Sequence, residues 1–344
     1  MSKHRTTLAE IAGAAGVSVP TVSKVLNDRA DVSPETRRRV QKYLRDSEYR
    51  PTRSDSARSN SVRGRELGRS IEVVVPVLQS PYMMAVLEGV ASSAAAEGFE
   101  VVIGPIPSSS MINPRALLQS DHIGAIFVTV DASSSAVKAL DQGGFPVVVV
   151  DPLRIADTKC ITIGATNFTG GITAAEHLLS LGHRRIAHAG GPHSVDCSHA
   201  RLAGYSSALR QAGIELDESL ITHSGFSYDA GRRAAHDLLD RSDRPTAIFA
   251  ANDEIALGIM EEARRRSIRI PQDLSVVGFD DTFLSSRSVP PLTTVAQPLL
   301  EMGRVAIRSL AQMINNDVVS TRHIELATRL VVRDSTAPLD GQTS

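Results

Sequence analysis

The chain has 344 residues, 42% of them hydrophobic and 22% charged, with no tryptophan and a formal net charge of −1. That length predicts two or three domains, and no apolar run approaches the ~20 residues of a bilayer span. The net charge hides a division: residues 1–70 carry 15 Lys+Arg against 8 Asp+Glu, the remainder 22 against 30. A basic head on an acidic body predicts a polyanion partner for the head alone, the plainer reading being a solvated basic tail.

The opening MSKHRTTLAE has no apolar signal core, so a cytoplasmic location is expected. The two cysteines, Cys160 and Cys197, are far apart in sequence and fit a reducing compartment rather than a disulfide framework. Thr7-Leu8-Ala9-Glu10 has the spacing of a capping box, and Leu8, Ile11, Ala12 and Ala15 then recur at helical spacing. Gly16 suits a left-handed helix end. Ser18 is a good N-cap for a second helix, with Pro20 tolerated in its first turn. Val22, Val25 and Leu26 give that helix one apolar face. Ser33-Pro34-Glu35 starts a third helix, with Val40, Tyr43 and Leu44 inward and Arg37, Arg38, Arg39, Lys42 and Arg45 mostly outward. Two short helices joined by a tight glycine turn and backed by a third make a helix-turn-helix unit, a shape also compatible with a protein-binding module.

The segment Pro51–Ser70 is rich in Arg and Ser and reads as a disordered linker. From Ile71 onward apolar strands alternate with helical patterns. The strands are IEVVVP, FEVVIG, GAIFVTV, FPVVVVD, RRIAHAGG, TAIFAAND and LSVVGFDD. The helical patterns include MMAVLEGVASSAAAEG, TGGITAAEHLLSLG and ALGIMEEARRRS. Continuous Val/Ile runs bounded by Gly or Pro predict parallel sheets covered on both faces. A break near 160–165 divides the series into two similar lobes. The fold class expected is α/β, an all-α head followed by a two-lobed doubly wound body. In such sheets ligands bind beyond the carboxyl ends of the strands, where Asp151, Asn252-Asp253 and Asp280-Asp281 fall. Each alone reads more readily as a strand-end turn residue or helix cap, and it is their expected convergence on one edge that carries the functional reading.

The head resembles, nearly position by position, the DNA-binding domain of the lactose-repressor (LacI/GalR) family of bacterial regulators. The match runs over A-G-V-S-x-x-T-V-S-x-V-L-N and V-S-x-x-T-R-x-x-V. It continues in the body through GHRRIAHAGGP, SHARLAGYSSAL, AANDEIALGIM, IPQDLSVVGFDDT and PPLTTVAQPLLEMG, and implies a body related to periplasmic sugar-binding proteins. The resemblance implies that Val19, Pro20 and Lys24 read bases, and that Thr7, Ser18, Thr21, Ser23 and Asn27 hold phosphates. Lys24 stands where relatives often carry Arg, and lacks its planar fork. The family's hinge helix and minor-groove leucine imply a role for the linker, but Asn60 stands at the leucine's place. Arg53, Arg58 and Arg63 are then phosphate neutralisers.

In the body, the resemblance places Arg201, Asn252 and Asp280 on sugar hydroxyls, with Asp151 as a further polar contact. Phe226 would pack on the sugar's apolar face, and the loop Gln79–Tyr82, with Ser80 and Tyr82, would close the site. Leu299 replaces an aromatic of some relatives. No cofactor or metal is expected: His193, Cys197 and His199 match no standard zinc spacing. No enzyme motif is present, which argues against catalysis. The implied protein is a regulator, a repressor in most relatives, binding palindromic operator DNA as a homodimer and responding to a small sugar. The C-terminal DSTAPLDGQTS lacks the heptad leucines of a tetramer-forming coiled coil. A solute-binding protein, or a regulator with a non-sugar effector or protein co-repressor, is the alternative. The domains expected are a head over 1–50, a hinge over 51–70, a body over 71–335 and a flexible tail over 336–344. Lobe 1 is expected over about 71–163 and 294–323, lobe 2 over about 164–290 and 324–335.

Overall fold

The computed structural model describes residues 8–26, 33, 36–37, 39–40, 42–43, 69–105, 112–155, 160–317 and 321–339. The chain divides into two units, Met1–Gly68 and Arg69–Ser344.

In the first unit, α1 (Leu8–Ala15) and α2 (Val19–Leu26) flank a turn at Gly16, whose φ of 65° suits a residue without a Cβ. Ser18 caps α2 through its Oγ, which accepts from the Thr21 amide at 3.3 Å and bonds the Thr21 hydroxyl at 2.9 Å. Ile11, Ala12, Ala15, Val22, Val25 and Val40 are buried together, with Leu8 and Val17 packed against them. Residues 36–37, 39–40 and 42–43 are helical, and Val40 brings that segment into the core. Tyr43, expected inward, is 37% exposed. Thr7, Asn27, Arg53, Arg58 and Asn60, and the linker up to residue 68, lie outside the described residues.

The body begins at Arg69, two residues inside the expected linker. Its first sheet has the order β11-β5-β4-β3-β1-β2, and all its pairings are parallel. These are β1 (Arg69–Val75), β2 (Phe99–Pro105), β3 (Ala125–Val128), β4 (Val147–Val150), β5 (Ile161–Ala165) and β11 (His323–Leu326). The second sheet has the order β12-β10-β9-β8-β6-β7. It comprises β6 (Ile186–Gly190), β7 (Ile221–His223), β8 (Ala247–Ala250), β9 (Ser275–Asp280), β10 (Thr293–Ala296) and β12 (Arg329–Val331), with β12 antiparallel to β10.

The unbroken apolar runs follow from burial on both faces. Ile126 and Val128 of β3 join one core beneath α3 (Pro81–Ala96) and α11 (Leu299–Asn315). Ala125 and Phe127 join the opposite core, with α4 (Pro114–Gln119) and α5 (Ser135–Gln142). Lobe 2 repeats the plan. Phe249, Val277 and Phe279 pack under α6 (Asn167–Ser180) and α7 (Asp196–Gln211), while Ile248, Ala250 and Val276 pack under α8 (Tyr228–Leu239) and α9 (Asp253–Arg265). Each such side chain contributes roughly 1.5–3 kcal/mol of transfer free energy. One further helix, α10 (Phe283–Arg287), follows β9.

Two expected boundaries are corrected. Residues 294–296 belong to lobe 2, because β10 pairs in register with β9, and residues 324–326 belong to lobe 1, because β11 pairs with β5. The chain therefore crosses between lobes just after β5, β10 and β11. The segment 336–339 is also no loose tail. The Ala337 amide donates to Ser275 Oγ at 3.1 Å, and the Leu339 amide to the Leu181 carbonyl at 2.9 Å.

Candidate functional site

A cleft of about 480 Å³ opens between the lobes, and all seven effector candidates line it: Ser80, Tyr82, Asp151, Arg201, Phe226, Asn252 and Asp280. Chain topology explains the convergence. Asp151 follows β4 of the first sheet, while Asp280 ends β9 and Asn252 lies just past β8 of the second, so the carboxyl ends of strands from both sheets face one cleft. Two of these residues hold a left-handed backbone, Asp151 at φ 48° and Asp280 at φ 108°. Such conformations cost of order 1–3 kcal/mol each and persist where the surroundings fix them.

Arg201 is the centre of the polar network. It is 2% exposed on α7, a helix held against α6 so closely that a Cβ on Gly171 would stand 2.2 Å from the Arg201 carbonyl. Its Nε donates to Asn167 Oδ1 at 2.8 Å, and its Nη1 to the Ala251 carbonyl at 2.6 Å. Nη1 also lies 3.9 Å from Asp280 Oδ1, and the guanidinium carbon lies 3.8 Å above the Phe279 ring. A planar guanidinium can satisfy such a set while still presenting Nη2 to a ligand.

Asp280 accepts a 2.7 Å bond from Gln297 Nε2. Burial pushes its carboxyl well above the ordinary range; the Arg201 cation pulls back, while the nearby Asp253 and Asp151 add to the rise. Burial likewise raises Asp151, opposed by Arg201 and by the Tyr82 hydroxyl, which donates to Asp151 Oδ2 at 3.0 Å. Tyr82 itself is pushed well above its usual value by burial and then by Asp151. Cys197, also in the cleft wall, is pushed up to about 12 by burial and remains a thiol at neutral pH.

Asn252 fills the role that its strand-end position allowed on other grounds. Its Oδ1 caps α9 by accepting from the Ile255 amide at 2.8 Å, and its Nδ2 lies 3.5 Å from the Phe226 carbonyl. Asp281 turns away from Asp280 to Arg333 at 2.6 Å and Ser285 at 2.8 Å, so the adjacent carboxylates form no dyad. Leu299 is buried in the lobe 1 core. His193 and His199 approach at 3.3 Å, but their neighbour is His223, stacked 3.7 Å from His193, rather than Cys197.

Four contributors escaped the sequence reading. Glu254, in the first turn of α9, accepts from Ser80 Oγ at 3.2 Å across the cleft. Ser80 sits at the N-cap position of α3 without capping it, so its hydroxyl is given to the other lobe. Thr129 lines the wall, and Asn167 and Gln297 support Arg201 and Asp280 from behind. The 174-residue separation of Ser80 and Glu254 leaves no local signal. Glu254 was within reach only by proximity to the Asn252-Asp253 strand end.

In the head, Val19 is 41% exposed, and Ser18, Pro20 and Lys24 are exposed beside it, while Thr21 is half-buried. Within α2, Val19, Pro20 and Lys24 lie on the exposed face, away from the buried Val22 and Val25. Ser23 lies within α2.

A helix-turn-helix head followed by a two-lobed body with a polar cleft at its strand ends defines a DNA-binding regulator with a small-molecule sensor domain. Residues 7–52 match the profile for bacterial regulatory proteins of the lacI family, and residues 175–336 that for a periplasmic binding protein-like domain. The chain is 35% identical to the HTH-type transcriptional regulator DegA of Bacillus subtilis (strain 168), over 98% of this chain and 99% of the relative. It is similar to the solved complex of the transcriptional regulator CelR with cellobiose, at TM-score 0.72 and 31% identity, covering 96% of this chain and 100% of that one. It is also similar to the lac repressor dimer bound to operator and the anti-inducer ONPF, at TM-score 0.68 and 27% identity, covering 97% and 100%. The chain belongs to the LacI family of transcriptional regulators. No helix among the described residues is long and apolar enough to cross a membrane.

Proposed function

We propose that this regulator is a homodimeric repressor, that it binds a palindromic operator, and that a small sugar in the cleft modulates its operator affinity. The observation that carries the reading is the convergence of Arg201, Asp280, Asp151 and Asn252 from separate strand ends and helices onto one cleft beside Phe226. Carboxylates and a guanidinium bond vicinal hydroxyls, and an aromatic wall covers the C–H face of a ring. Cellobiose occupies the relative CelR, and operator DNA the lac repressor dimer, which supports the same pair of ligands here. No cofactor beyond the effector is required, and the protein works in the cytoplasm.

One helix-turn-helix reads half a site, so two copies on a palindrome supply the specificity. A ligand that binds one lobe arrangement better than another shifts the population toward it and changes operator affinity by the same coupling free energy. The test is fluorescence anisotropy of a palindromic operator at fixed salt, with and without a sugar shown to stabilise the protein. A change in apparent affinity of fivefold or more is expected. An unchanged isotherm at saturating sugar defeats the proposal.

A further inference from the structure

The geometry points to an uncharged polyhydroxyl effector, with Glu254 as the residue that makes the cleft refuse phosphorylated or acidic sugars. This rests on the sugar reading above and specifies it. Among the described residues, three carboxyl groups line the cleft, Asp151, Asp280 and Glu254, against a single cation, Arg201. That cation is largely committed, since Asn167 and the Ala251 carbonyl take two of its donors and Asp280 lies beside it. A phosphate would therefore meet three carboxyl groups and one largely committed cation, in a setting where water screens poorly.

The hydrogen-bonding inventory agrees. Asp151 has one oxygen taken by Tyr82, Asp280 one taken by Gln297, and Glu254 one taken by Ser80. Each carboxyl thus keeps a second oxygen for a donor on the ligand, which a hydroxyl can supply and a phosphate dianion cannot. Val77, Met83, Leu153 and Phe226 complete the wall with apolar surface, which suits the C–H face of a ring.

Glu254 differs from the two aspartates in position. Of these three carboxyls, it is the one that takes a hydrogen bond directly across the cleft, its Oε1 accepting from the Ser80 hydroxyl at the α3 terminus. A ligand held between the lobes shares the cleft with this carboxylate. Gln at 254 keeps an acceptor for Ser80 and removes only the charge.

The experiment uses the full-length protein and matched pairs: ribose and ribose 5-phosphate, glucose and glucose 6-phosphate, galactose and galacturonate, cellobiose and its 6-phosphate. Binding is read at pH 7.5 by thermal shift and then by calorimetric titration. The neutral member of a productive pair is expected to bind at least tenfold more tightly, about 1.4 kcal/mol. Glu254→Gln is expected to narrow that ratio threefold or more, and rising salt to narrow it partly. An acidic member that binds as well as its neutral partner overturns the inference while leaving the sugar reading intact. An unchanged ratio in Glu254→Gln overturns the role of that residue. A panel in which no member binds overturns the sugar reading and this inference with it.

Discussion

Replacing Arg201 with Met tests whether the cleft network is built as its distances imply. Met keeps much of the buried stem while deleting the charge and two hydrogen bonds, to Asn167 Oδ1 and the Ala251 carbonyl. It also deletes the stacking on Phe279 and strands Asp280, 4% exposed, without its cation. Hydrogen bonds to charged groups contribute about 1.5–3 kcal/mol each and a desolvated cation–π contact about 2. These terms are not additive, and breaking a buried pair typically costs about 3–5 kcal/mol in total. For a unit of this size that corresponds to a fall in the body's Tm of roughly 6–15 °C.

The pH dependence has a definite sign. Arg201 pulls the Asp280 and Asp151 carboxyls down against the rise from burial, so removing it raises both further. A carboxyl whose folded value exceeds its unfolded one favours folding at low pH and loses that contribution as pH rises through the folded value. The deficit of Arg201→Met should therefore widen from pH 5 to pH 8, and adding Asp280→Asn should recover part of it at pH 8. Scanning calorimetry of the three proteins at both pH values measures this, and effector titration alongside should show the ligand response lost while operator binding persists below the new Tm. A Tm loss under 2 °C, or a deficit that shrinks toward pH 8, would refute the network described here.

Lys24→Ala should weaken specific operator binding by about 1–3 kcal/mol while barely changing binding to random duplex; equal losses measured by anisotropy would make Lys24 a phosphate contact instead. Gly171→Ala should destabilise the body by about 1–3 kcal/mol or more, because the new methyl would sit 2.2 Å from the Arg201 carbonyl, and urea unfolding should register it together with weaker effector binding. Asp253→Asn should flatten the stability profile between pH 5 and 8. Burial holds that carboxyl up at about 7 despite bonds from Thr294 and from Thr282, so the wild type loses stability as pH rises through that range. An Asn can keep both Thr282 bonds on its oxygen and donate to the Thr294 hydroxyl, and a profile as steep as wild type would remove Asp253 as the source.

The parts legible in the sequence were those with short-range causes. Gly16 between two apolar helical patterns, Ser18 as an N-cap, and seven Val/Ile-rich runs each declare themselves within ten residues or so. The strands that escaped, β5, β7, β10, β11 and β12, are five residues or fewer, and β11 alternates exposed with partly buried residues. Their identity as strands comes from the partner they pair with, which a local pattern cannot carry. The same limit governs the site. Asp151, Asn252 and Asp280 could be found because ligands bind beyond the carboxyl ends of strands in each α/β sheet, whereas the Ser80–Glu254 bond and the support of Asp280 by Gln297 exist only after the lobes are assembled.

Gln297 shows how the cleft reaches the crossings between lobes. It lies directly after β10, on the segment that carries the chain from lobe 2 back to α11 of lobe 1. Its amide N–H donates to the Asp280 carbonyl at 3.2 Å and its Nε2 to the Asp280 carboxyl, while its own carbonyl accepts from the Leu299 amide at 2.9 Å. The other two crossings are fastened to each other instead, through Thr166 Oγ1, which bonds the Thr328 hydroxyl and amide, both at 3.0 Å. So of the three connections, two form a fixed pair and the third is tied to an effector-site carboxyl. A ligand hydroxyl that engages Asp280 acts on the group that holds this third crossing, whereas one engaging Asn252 acts on a helix cap inside lobe 2. Coupling between occupancy and lobe arrangement should therefore run chiefly through Asp280 and Gln297. Gln297→Ala is expected to leave sugar affinity within about tenfold, 1.4 kcal/mol, yet reduce the change in operator affinity that the sugar produces. A variant that binds sugar more weakly but transmits it fully would place the coupling elsewhere.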